Sequence, residues 1–127
     1  MINLFEAKNQ IVEIGRRMWM KEWVASNDGN ISCKISEDEF VCTPTGVSKG
    51  FLEVGDLIVV DGQGRKRSGG PLNPSSEIKM HLFVYHERPD VQAVCHAHPP
   101  TATGFAVAGM ALDQCVLPEV VAIMGAI

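Results

Sequence analysis

The sequence predicts an α/β fold in which an antiparallel-rich sheet is flanked by helices. Three observations predict it. Between residues 31 and 60, short apolar or alternating runs follow one another with turn residues between them, the pattern of hairpin-linked strands. Helical spacing precedes that block and returns after it. At 127 residues and 46% hydrophobic, the chain is long enough for one domain with its own core and too short for two.

The elements follow in order. Leu4, Ala7, Ile11, Ile14 and Met18 recur at three- and four-residue steps, so an amphipathic helix opens the chain. Trp19 and Trp23 lie on another stripe of that helix and read as packing residues. Ser26-Asn27-Asp28-Gly29-Asn30 breaks it with turn-prone residues. Ile31–Ile35 alternates as a strand, Phe40–Thr43 is its partner, and residues 36–39 turn between them. Leu57–Val60 is the clearest strand, ended by the hairpin signal Asp61-Gly62-Gln63-Gly64.

Residues 69–76 form a loop rich in Gly, Pro and Ser. Either Asn73-Pro74 or Ser75 caps the helix that follows, whose inward face is Ile78, Leu82 and Tyr85. Pro89 stops that helix because it cannot continue the hydrogen-bond ladder. Val91–His96 is a further strand ended by Pro99-Pro100. Thr101–Ala108 is helical, Gly109 closes it, and Pro118 opens a last helix.

Composition excludes several functions. The net charge is −4 with no basic stripe, which argues against a nucleic-acid surface. Arg65-Lys66-Arg67 sits between glycines and reads as an exposed hairpin flank. Cys33, Cys42, Cys95 and Cys115 have irregular spacings and no C-x-x-C, so reduced thiols are the simplest account. Glu6 and Lys8 interrupt any signal-peptide core, and no stretch is long enough to span a bilayer. A cytoplasmic location is expected. From Val91 to Ile127 there is no Lys or Arg, a segment expected to be covered by the core or by another chain.

Three features carry chemistry. On a strand, residues i and i+2 share a face, so both rings of His96-Ala97-His98 can converge on one ion. Taken alone this tripeptide is a weak signal, equally explained by two core or surface histidines, and its place before a proline-forced loop sharpens it. Glu77 stands at a helix start, where the helix dipole is itself a structural reason for a carboxylate. Near a metal it could be a ligand or a proton-transferring base. Gly29-Asn30, Thr45-Gly46 and Ser75-Ser76 would each be an ordinary turn. Together they offer backbone N–H groups, hydroxyls and an amide, the donors of a phosphate site without a basic side chain. His81 shares a helical face with Glu77, and it and His86 read as hydrogen-bonded helix histidines.

Taken in order, Gly29-Asn30-Ile31-Ser32, Thr43-Pro44-Thr45-Gly46-Val47, Asp56–Asp61, Pro74-Ser75-Ser76-Glu77 with His81, Arg88-Pro89-Asp90-Val91 and His96-Ala97-His98-Pro99 resemble the class II aldolase/adducin family. The resemblance covers nearly the whole chain and implies a three-layer α/β/α fold with a largely antiparallel central sheet. It implies a homotetramer with sites between subunits, and a zinc-type divalent metal. His96 and His98 resemble two of the family's three histidine ligands. Glu77 resembles its catalytic acid/base, which also coordinates the metal when substrate is absent. Asn30, Thr45, Gly46, Ser75 and Ser76 fall where family members grip the phosphate of a sugar-phosphate substrate.

The implied activity is aldol cleavage or condensation of a ketose phosphate through a metal-stabilised enediolate. A 4-epimerase, dehydratase or decarboxylase of the same family, or a non-catalytic adducin-like interaction domain, is the alternative. The sequence departs from the family at two points. No histidine follows His98, and the only tyrosine, Tyr85, precedes the H-x-H strand, whereas some family aldolases supply a tyrosine acid after it. The chain is accordingly expected to be incomplete at its C-terminus.

Overall fold

A computed structural model describes residues 2–111 and Ala122. Helix α1 (Leu4–Met20) is followed by strands β1 (Asn30–Ser36), β2 (Glu39–Cys42), β3 (Ile58–Val60) and β4 (Lys66–Ser68). Helix α2 (Ile78–Glu87), strand β5 (Ala93–His96) and helix α3 (Pro100–Val107) complete it. Between β2 and β3 the chain makes two 3-10 turns, Lys49–Phe51 and Val54–Asp56. The five strands form one antiparallel sheet in the order β4-β3-β2-β1-β5.

The period-2 alternation of the strands divides the core into two. Ile31, Cys33, Val41 and Leu57 face α1 and pack with its Ala7, Ile11 and Met18. Phe40, Cys42, Ile58 and Val60 face the other way and pack with Ile78 and Tyr85 of α2. Helix, sheet and helix are thus three layers, as the sequence predicts.

Three expectations change in detail. Leu4 and Ile14 lie on the predicted inward stripe of α1 but are exposed, and Gly15 is buried instead. The stripe rotates because α1 packs on the 3-10 turn at Lys49 as well as on the sheet. A Cβ on Gly15 would stand 2.7 Å from the Lys49 carbonyl oxygen, so only glycine permits that approach. Trp19 and Trp23 are half-exposed and outside the core, although Trp19 meets Phe51 edge-on with centroids 5.3 Å apart. Neither Asn73-Pro74 nor Ser75 caps α2: Pro74 is engaged in an isolated bridge with Pro44, and the N-cap is Glu77. Arg65 and Arg67 flank the β3–β4 hairpin as expected, and both reach the buried Asp61 carboxylate, at 2.7 and 3.2 Å.

Among the described residues no helix is long and apolar enough to cross a membrane. The expected last helix from Pro118 lies outside the described residues.

Candidate active site

The site begins where β1 starts and β5 ends. Asn30 and His96 are register partners of that antiparallel pair, so their side chains emerge on one face of the sheet. Gly29 makes this start possible. It has φ of +73°, and a Cβ there would meet Val24 at 2.5 Å and the His96 carbonyl oxygen at 2.9 Å.

Two loops are drawn together beside that corner. Thr45 N–H donates to Asn73 O at 3.0 Å, and Ser75 N–H donates to Thr43 O at 3.1 Å. This short ladder holds Thr45 next to Ser75 and brings α2 to the site. His98 N–H donates to Trp23 O at 2.8 Å, tying the segment after β5 to the turn before β1.

A cavity of about 330 Å³ opens at this junction. Asn30, Thr45, Ser75, Ser76, Glu77, His96 and His98 all line it. Seven of the eight residues singled out from sequence therefore surround one space. The eighth, Gly46, adjoins Thr45 at φ +75° but is not part of the wall. Asn27, Asp28 and Lys49 also line the cavity, and no sequence signal marked them as site residues. Asn27 and Asp28 belong to the turn-prone run 26–30, and Lys49 sits in a segment with no periodicity to place it.

The two imidazoles stand side by side, with ring centroids 4.8 Å apart. His98 Nδ1 lies 3.7 Å from the Asp28 carboxylate, an arrangement that orients a ring and leaves Nε2 for a ligand. His96 Nδ1 lies 3.4 Å from Asn30 Nδ2, while Asn30 Oδ1 is buried without a partner. The reversed amide places that oxygen against an Nδ1–H and likewise leaves Nε2 free. Two imidazoles so oriented fit a divalent transition metal. Glu77 lines the same cavity, but among the described residues no three of His, Cys, Asp and Glu converge closely enough to hold an ion. A complete shell requires further ligands.

Glu77 precedes the first turn of α2, and its N–H donates to Ser75 Oγ at 3.3 Å. Its carboxylate makes no cap bond, and among the described residues it accepts no hydrogen bond. One turn later His81 is buried, with Nδ1 2.7 Å from Ser32 Oγ, which is 2.8 Å from Tyr85 OH. Burial, and then the nearby His96, push its pKa down to about 4, so this ring is neutral. The expected hydrogen-bonded helix histidine is what His81 is. His86 is hydrogen-bonded too, its Nδ1 3.0 Å from the Glu87 carboxylate, but it is exposed.

The family model described as Class II Aldolase and Adducin N-terminal domain matches residues 9–127. The chain belongs to this family. Among its relatives, a methylthioribulose-1-phosphate dehydratase of Granulibacter bethesdensis is 38% identical over 98 residues, 77% of this chain and 45% of the relative. An L-fuculose phosphate aldolase of Methanococcus vannielii is 35% identical over 104 residues, 82% of this chain and 55% of the relative. The solved structure of YgbL from Klebsiella pneumoniae, a candidate aldolase/epimerase/decarboxylase, superposes with a TM-score of 0.85 at 28% identity. That match covers 99% of this chain and 62% of YgbL. The chain spans about half the length of the curated relatives it matches.

Proposed function

We propose that this protein is a divalent-metal lyase acting on a ketose 1-phosphate. One observation carries the reading: His96, His98 and Glu77 share a single cavity with Asn30, Thr45, Ser75 and Ser76. The first group suits a carbonyl and a proton, and the second suits a phosphate. His96 and His98 would hold the ion, which when bound supplies Lewis acidity to the substrate carbonyl.

The other steps belong to the chain. Thr45, Ser75 and Ser76 offer hydroxyls, and the start of α2 offers N–H groups, to the phosphate. Anchoring that end fixes the carbon beside the ketone within reach of Glu77. The Glu77 carboxylate, which no cap bond engages, takes the proton from that carbon and leaves an enediolate.

Aldol condensation and dehydration both begin this way. In the first, the enediolate carbon attacks an aldehyde; in the second, hydroxide leaves from the next carbon. Aldol cleavage and condensation is the leading reading. Dehydration is the second, favoured by the dehydratase relative at 38% identity. The test is an assay of the complete gene product with zinc on L-fuculose 1-phosphate and on methylthioribulose 1-phosphate. Turnover of either, lost with the unphosphorylated ketose, supports the proposal and selects the reaction. Turnover of neither, in protein that retains the metal, points to the adducin-like interaction role instead.

A further inference from the structure

Lys49 is 1% exposed, yet it lines the cavity. Its ammonium donates to Asn27 O at 2.8 Å and to Val47 O at 2.7 Å. These two carbonyls belong to the turn before β1 and to the segment after Thr45-Gly46, so one side chain ties two walls of the site. The residue itself is held from behind. Gly15 of α1 packs against its carbonyl oxygen, and Gly50 lies flat against the Trp19 ring, where no Cβ would fit.

The chemistry of this lysine exceeds that of a tether. Joining two carbonyls takes two N–H donors, which a neutral side chain can provide. A buried positive charge is costly when its partners are only neutral dipoles. Both hydrogen-bond partners of Lys49 among the described residues are neutral, burial lowers its pKa while the Asp28 carboxylate acts on it without a hydrogen bond, and an ammonium has a third N–H. Among the described residues Lys49 is also the only lysine or arginine lining the cavity, whose acids are Asp28 and Glu77. The carboxylate of Asp28 is turned toward His98. An anion entering this space finds one fixed cation in the wall.

We propose that Lys49 is the cationic residue of the anion subsite, its remaining N–H directed to an oxygen of the substrate's phosphate. The assignment rests on the sugar-phosphate reading above and adds to it a charge that the hydroxyls and backbone of Thr45, Ser75 and Ser76 do not provide.

Inorganic phosphate serves as the probe, titrated calorimetrically into the complete protein and its Lys49→Met, Lys49→Gln and Ser75→Ala variants. Melting temperature in phosphate-free buffer reports the tether separately. The expected result is phosphate affinity lower by about tenfold or more in both Lys49 variants, as for the loss of one charge-assisted hydrogen bond, with Lys49→Gln melting close to the parent. Weaker binding in Ser75→Ala but parental affinity in Lys49→Gln overturns the role of Lys49 and leaves the sugar-phosphate reading intact. No phosphate binding by the parent overturns both. A measurement on the parent protein stands whether or not the variants fold. The side-chain ammonium resonance of Lys49 should shift on phosphate addition, and an unmoved resonance in phosphate-saturated protein rejects the contact.

Discussion

Asn30 and His96 face each other across the β1–β5 ladder, with Asn30 Nδ2 3.4 Å from His96 Nδ1. One strand pair thus joins a residue proposed for the phosphate with a residue proposed for the metal. A side chain that fixes the tautomer of a metal-binding histidine contributes to metal affinity without touching the ion. Asn30→Ala in the complete protein is expected to weaken zinc retention by about 10- to 100-fold in a competitive chelator titration. Unchanged zinc affinity would leave Asn30 with the phosphate role alone.

Glu77→Gln keeps size and shape but removes the proton acceptor. The kcat of the complete protein in the proposed reaction is expected to fall by roughly 10²–10⁴, the usual contribution of a positioned acid/base. The KM should change far less, because Thr45 and Ser75, the residues proposed for the phosphate, are unchanged. Near-parental turnover places the base elsewhere.

His81 predicts a pH dependence of stability. Its folded pKa, pushed down to about 4 chiefly by burial, lies below the ordinary imidazole value of 6.5. The unfolded chain therefore takes up a proton first as pH falls, and the folded state loses stability between about pH 6.5 and pH 4. The loss from this one group is at most about 3 kcal/mol. Urea denaturation at several pH values should show the slope in the parent and a shallower one in His81→Asn. Parallel slopes in the two proteins would mean that His81 titrates normally.

Gly15→Ala sets helix propensity against packing. Alanine is favoured in a helix interior by about 1 kcal/mol. Its Cβ, however, would meet the Lys49 carbonyl oxygen at 2.7 Å, and overpacking of that kind costs about 1–3 kcal/mol. The contact is with backbone and cannot be relieved by a rotamer change, so a lower melting temperature is expected. Lys49 would move with it, and phosphate affinity should fall in the same variant. A higher melting temperature would show that α1 is free to move away from the Lys49 turn.

Much of the fold was legible in the residues themselves. Alternation at Ile31–Ile35 and the turn residues 61–64 specify hairpins because side-chain period and turn chemistry are local properties. The same locality made His96 and His98 readable as a pair, since two-residue spacing at a strand end puts both rings on one side. Glu77, Ser75 and Ser76 were legible as a helix start, and the chain order of these motifs carried the family resemblance.

Other features depend on which surfaces meet, and only the tertiary structure decided them. Leu4 and Ile14 match the apolar period of α1 yet face outward, because the helix is also packed on a 3-10 turn that no local pattern announces. Asp28 becomes a partner of His98 only because β5 lies beside β1 and carries its end to the turn before β1. No sequence signal singles out Lys49. It is buried in the cavity wall because Gly15 of α1 and the adjacent Gly50 let α1 close over its backbone while two carbonyls replace water at its ammonium. A sequence pattern encodes the direction in which a side chain leaves its own element, whereas burial and partnership are set by what the other elements place there.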